Sequence, residues 1–183
     1  MKVTLAHVPR IANRIAIELN KSGLVTMTKG LEPIAQEAEK IFVESVKKEH
    51  ELEERVNDML DDNEDDIEEM LADERQLFFM IKKKLAPEFG VILSYDDRYS
   101  DISHKILDEL YEEDLIHFEV TENRIKNVIY NAITGYIASN DEIDDAVMDK
   151  IRSYKRRIIP GTEEFDIIHE KLYHEELQKR GLA

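Results

Sequence analysis

Apolar residues recur at every fourth position along much of this chain, and that spacing limits what it can fold into. Ile11, Ile15 and Leu19 form one such ladder, and Ile102, Ile106 and Leu110 form another. Two longer ladders run through Ile34, Ala38, Phe42 and Val46, and through Ile125, Ile129, Ile133 and Ile137. Residues four apart share one face of an α-helix, whereas a strand needs period two. The 6 Gly and 4 Pro in 183 residues leave few positions for the tight turns of a sandwich or barrel, so an all-α fold is expected. Pro9, Pro33, Thr121, the sequence Ser139-Asn140-Asp141-Glu142 and Thr162 read as helix starts, and Gly23, Gly90, Gly161 and Gly181 as stops. The expected helices are 9–21, 32–48, 50–71 and 74–88, then 100–113, 122–138, 140–157 and 163–180. Apolar and polar residues alternate at Val25-Thr26-Met27 and from Ile116 to Val120, which is compatible with a short extended segment in each half.

The chain also aligns with itself at an offset of 91 without a gap. Ile11, Ile15, Glu18, Leu19, Leu24, Ile34, Glu51, Val56, Asp58, Ile67 and Gly90 each meet the same residue type 91 positions later. Because the apolar spacing coincides as well, the pattern predicts two tandem helical repeats of about four helices each, 1–91 and 92–183.

Charge narrows the function classes. With 25 Lys+Arg against 41 Asp+Glu the formal net charge is −16, and no Cys is present to form a disulfide, a thiolate nucleophile or a thiolate metal site. The longest apolar run, Leu77 to Ile81, is far short of the roughly 20 residues that span a bilayer. The opening MKVTLAHVPRIANR holds no apolar signal core, so cytoplasm is the expected compartment and no membrane partner is expected.

Most of the net negative charge lies between Glu49 and Arg75, where 14 Asp+Glu stand against two Arg. On a helix, Asp61, Asp65 and Glu69 would stack at i, i+4, as would Asp62 and Asp66, and each like-charge pair costs about 0.2–0.5 kcal/mol. These five acids are a candidate docking face for a basic partner; the alternative is a solvated surface. A calcium loop starting at Asp61 fails, because Asp66 stands where the turn needs Gly and Ala72 where a bidentate Glu is required.

The opposite feature runs from Lys150 to Arg157. Arg152, Lys155, Arg156 and Arg157, with Tyr154 among them, are a candidate contact for an anionic ligand, nucleic acid or a partner; alternatively they favour a helix C-terminus or pair with acids of the same chain. His169 and His174 are five residues apart and so lie on different faces of a helix, which does not suit a zinc-protease site. Asp166 with His169 lacks the second such pair that a di-iron site needs. No phosphate-cradling glycine loop and no nucleophile elbow is present. No catalytic residue, metal ligand or cofactor is therefore expected.

The segment Phe78-Phe-Met-Ile-Lys-Lys-Lys-Leu85 running to Gly90-Val91 resembles the uncharacterised bacterial family known as domain of unknown function 507. So do Ile151-Arg-Ser-Tyr-Lys-Arg156, Gly161-Thr-Glu-Glu-Phe-Asp-Ile-Ile168 and Glu175-Glu-Leu177. The resemblance covers nearly the whole chain. Phe165 stands where that pattern carries Trp, and Pro160 directly precedes Gly161. The resemblance implies a bacterial cytoplasmic protein and supplies no catalytic residues. The expected function is a non-enzymatic acidic helical binding or scaffold protein with a protein partner. The rival is a nucleic-acid or anionic-ligand binder using 150–157.

Overall fold

The ladders fold as their spacing predicts. The structure is a computed structural model that describes residues 3–69 and 73–180, without the side chains of 68 and 69. Among the described residues the order is α1 (Val8–Ser22), β1 (Thr26–Met27), α2 (Leu31–Asp61), α3 (Glu64–Glu69), α4 (Glu74–Leu85), α5 (Tyr95–Glu112), β2 (Ile116–His117), α6 (Glu122–Arg152) and α7 (Glu163–Lys179). The class is all-α, with one two-stranded antiparallel ribbon. Residues 3–134 form one compact unit and 135–180 another, the division falling inside α6.

In the first unit α2 packs against α1, α4 and α5. The buried stripe of α1 is Val8, Ile11, Ala12, Ile15, Ala16 and Leu19; that of α5 includes Tyr99, Ile102, Ser103, Ile106, Leu107 and Leu110. Fully burying each large aliphatic side chain contributes roughly 1.5–3 kcal/mol. α1 stops where Gly23 turns left-handed at φ 65°, and α5 is followed by Asp114 at φ 57°, the one non-glycine residue with positive φ among those described. The ribbon pairs Thr26 with His117 and Met27 with Ile116. Thr28 extends it, its amide donating to the Leu115 carbonyl at 3.1 Å and its hydroxyl to the Asp114 carbonyl at 2.6 Å.

Two corrections concern helix continuity. The segments expected as 32–48 and 50–71 are one helix, α2, of 31 residues, followed by the short α3. Those expected as 122–138 and 140–157 are likewise one helix, α6, of 31 residues. Each long helix extends about 46 Å. Neither apparent break contains Pro, and Ser139 to Glu142 lie within α6 as ordinary helical residues. A stripe built from steps of four drifts by 40° per step around a helix of 3.6 residues per turn, so a long helix must reset it with a step of three. In α2 the buried positions therefore run Ile34, Ala35, Ala38, Phe42, then Glu49, Leu52, Val56 and Leu60.

The end of α2 is also corrected. Asp58, Asp61 and Asp62 crowd the negative end of the helix dipole, and the helix stops there, with the Asn63 side-chain amide donating to the Met59 carbonyl at 2.7 Å. The chain restarts as α3 with Glu64, Asp65 and Asp66 in its first turn, the end that favours acids. The expected stacking of Asp61 on Asp65 along one continuous helix is thus interrupted, and the Glu69 side chain lies outside the described residues. α5 begins five residues earlier than expected, because the Ser94 hydroxyl accepts the Asp97 amide at 3.4 Å as a cap.

In the second unit Ile143, Val147 and Ile151 of α6 join Ile158, Leu172 and Leu177 in one cluster, with Phe165, Ile168 and Tyr173 partly buried against it. Thr162 caps α7 by accepting the Phe165 amide at 3.3 Å.

Candidate functional site

The acidic candidates sit at the far end of α2 and the start of α3. Leu52, Val56 and Leu60 root that end against Ala86, with Leu77, Phe78, Ile81 and Leu85 of α4 partly buried beside them. Asp61, Asp62, Asp65 and Asp66 are all exposed, and none forms an ion pair with a described residue. Asp58 and Glu64 share both properties. The result is an anionic surface on a firmly packed support.

The basic candidates lie differently from the expectation. α6 ends at Arg152, so Tyr154, Lys155, Arg156 and Arg157 occupy a non-helical segment before α7 rather than one helical face. Ser153 terminates the helix, its hydroxyl donating to the Lys150 carbonyl at 2.6 Å. Arg152 pairs with Asp149 at 3.2 Å and Arg156 with Glu164, while Lys155 and Arg157 are exposed and pair with no described residue. Lys150 belongs to a separate arrangement, donating to the buried Glu176 at 3.0 Å. Glu176 also accepts Arg180 at 3.2 Å, and these donors, Lys150 first, hold its carboxyl below the usual range.

A buried ion cluster in the first unit has no counterpart among the expected sites. Glu49, 3% exposed, accepts two hydrogen bonds from the Arg98 guanidinium at 2.6 and 3.3 Å. Lys82 donates to Glu49 at 3.2 Å and to Glu53 at 2.7 Å. The third arm of Arg98 donates from Nε to the Ile92 carbonyl at 2.7 Å, and the guanidinium lies 5.3 Å from the Tyr95 ring centre. Burial alone would push the Glu49 carboxyl up; Arg98 and then Lys82 outweigh it and hold it below its ordinary value. Lys82 is the mirror case, since burial pulls it down and Glu53 and Glu49 raise it further. A groove of about 310 Å³ beside the cluster is lined by both signs of charge, and its Glu44–Lys48 and Asp101–Lys105 neighbours are already paired at 2.5 and 2.8 Å. The cluster therefore ties α2, α4 and α5 together.

His169 stacks between Phe165 and Tyr173, with ring centres 5.7 and 6.2 Å away, and its Nε2 lies 3.6 Å from Asp144. Asp166 and His174 are exposed. Among the described residues no group of three or more acids and histidines is placed to hold a metal ion, and no helix is long and apolar enough to cross a membrane.

The protein family described as protein of unknown function DUF507 matches residues 1–182, nearly the entire chain. The chain belongs to this family. No curated protein matches it.

Within this family member, two features escaped sequence reasoning. Glu49 and Lys82 occupy core phases of their helices, Glu49 three residues before Leu52 and Lys82 four before Ala86, and a charged residue in a core phase is the signal that could have paired them. The second feature is α4, whose outer face exposes Phe79 and Met80 at 55% and 67%. Of the apolar run from Leu77 to Ile81, Leu77, Phe78 and Ile81 face inward.

Proposed function

We propose that this chain is a non-enzymatic binding or scaffold protein whose acidic end docks a basic partner protein. One observation carries the reading: Asp58, Asp61, Asp62, Glu64, Asp65 and Asp66 are exposed without a cationic partner among the described residues, on a support rooted by Leu52, Val56 and Leu60. Like charges at this density oppose folding slightly, and a cationic protein surface would relieve that repulsion on binding. The test is capture from native-host extracts with the full chain and with a variant in which Asp61, Asp62, Asp65 and Asp66 are changed to Asn. A stoichiometric partner with a basic surface should be held by the parent at physiological salt and lost by the variant. Identical partner sets for both would overturn the reading.

The rival reading, an anionic-ligand or nucleic-acid binder, draws on Lys155 and Arg157, which are exposed after α6 and pair with no described residue. Titration with short RNA and DNA separates the two. Binding that disappears when Lys155, Arg156 and Arg157 become Ala would favour the rival, and no binding at low salt would remove it.

We also propose that 1–91 and 92–183 are duplicated halves. α2 and α6 begin 91 residues apart and end 91 residues apart, and left-handed Gly23 corresponds to left-handed Asp114. The ribbon pairs Thr26 with His117, again 91 apart, as a two-fold exchange between halves would require. Buried Glu49 with its partner Lys82 corresponds to buried Asn140 with its partner Tyr173. On this reading the protein is one helical support used twice, with surfaces that have since diverged.

A further inference from the structure

The exposed faces of α4 and α7 are opposite in charge and built on the same spacing. On α4, Arg75, Gln76, Phe79, Met80, Lys83 and Lys84 all face solvent, a stripe with three cations, two large apolar side chains and no acid. The spacing 1, 4, 5, 8, 9 is one helical face. The inner face of α4 is occupied against Leu52, Val56 and Leu60, so the stripe is not simply turned toward this core. On α7 the same spacing gives Asp166, Ile167, Glu170, Lys171, His174 and Glu175, also all exposed, with three acids to one lysine and Ile167 60% exposed.

None of Arg75, Lys83, Lys84, Asp166, Glu170 or Glu175 forms an ion pair with a described residue. In a chain carrying 41 acids, three neighbouring cations without a partner among the described residues are set apart from the lysines that do find one, such as Lys40, Lys48 and Lys105. Exposed Phe and Met beside them add the desolvation gain that charge pairs alone lack at a surface.

We propose that the outer face of α4 is a docking surface for the outer face of α7 of a second copy of this chain. Phe79 and Met80 pack with Ile167 at the centre, and Arg75, Lys83 and Lys84 meet Asp166, Glu170 and Glu175 around them. α7 offers both the acids and the apolar side chain that this stripe needs, within reach of the short screening length at physiological salt.

The experiment is sedimentation velocity of the full chain over a concentration series, at low and at high salt. The parent should self-associate in a concentration-dependent way, more weakly as salt rises. The paired change Lys83→Glu and Lys84→Glu should weaken association roughly tenfold or more, as should Glu170→Lys with Glu175→Lys, with melting temperatures unchanged because all four residues are exposed. Mixing the two variants should restore association between them, since the acidified α4 of one then meets the basic α7 of the other. Changing Asp61, Asp62, Asp65 and Asp66 to Asn should leave association intact, which separates this contact from the acidic-end partner. A parent that stays monomeric throughout overturns the proposal, as does association insensitive to either pair or no recovery on mixing. A monomeric parent that binds short RNA or anionic vesicles through Lys83 and Lys84 would assign the α4 face to those ligands instead.

Discussion

Changing Glu49 to Gln removes the one full negative charge shared by Arg98 and Lys82 while keeping the side chain's size. The Glu49, Arg98 and Lys82 side chains are 5%, 8% and 12% exposed, so water cannot replace the lost charge, and Lys82 alone retains a second carboxylate in Glu53. Breaking a buried pair on one side costs about 3–5 kcal/mol. At roughly 2–4 °C per kcal/mol for a chain of this size, the melting temperature should fall by about 6–20 °C at pH 7. The sign of the pH dependence is fixed by the depressed Glu49 carboxyl. A group whose pKa is lower in the folded state than its ordinary 4.5 contributes stability above that value and loses it as pH falls toward the folded one. The difference between parent and variant should therefore shrink below about pH 4.5, by up to about 1.4 kcal/mol per pH unit. Thermal and urea melts of both proteins at pH 7, 5 and 4, with a lower point if both remain folded, measure it. A variant melting within about 2 °C of the parent at pH 7, or a gap unchanged down to the lowest pH, would refute the reasoning.

Ile15→Asp and Ile129→Asp place a carboxylate at positions with no exposure, so each should cost several kcal/mol, visible as loss of the cooperative melt; parent-like melting of either would show that the stripe is not core. Tyr173→Phe removes the hydroxyl that bonds buried Asn140 and should cost about 1–3 kcal/mol, read by urea titration. Gly23→Ala forces a side chain into a left-handed conformation at φ 65° and should cost about 1–2 kcal/mol, whereas Asp114→Gly at φ 57° should be neutral or slightly stabilising in the same titration.

Periodicity made the short helices legible and obscured the long ones, for one physical reason. α1 is little more than four turns long, so a stripe of fours stays on its buried face from Ile11 to Leu19. Over 31 residues the stripe must reset, and in both long helices the core phase near the reset is held by a polar residue: Glu49 in α2 and Asn140 in α6. Reading apolar residues alone, each helix looks finished there, and Ser139 to Glu142 then imitates a cap. Glu49 is buried only because Arg98 arrives from 49 residues away, a partner that no local pattern reveals. The acidic end was legible as composition, but its break at Asp62 and Asn63 reflects competition between core packing and helix-end electrostatics. The basic segment was legible as charge and misplaced as structure, because α6 stops at Arg152 rather than running to 157.

Hydrogen–deuterium exchange tests most directly whether the acidic end docks a protein partner. The full chain should be compared alone and saturated with the partner captured by the parent and lost by the Asp→Asn variant. The amides of residues 57–69 at the close of α2 and in α3 should exchange at least several-fold more slowly in the complex than in the free protein, with no slowing in the variant. Unchanged exchange across 57–69, with protection appearing elsewhere, would contradict it.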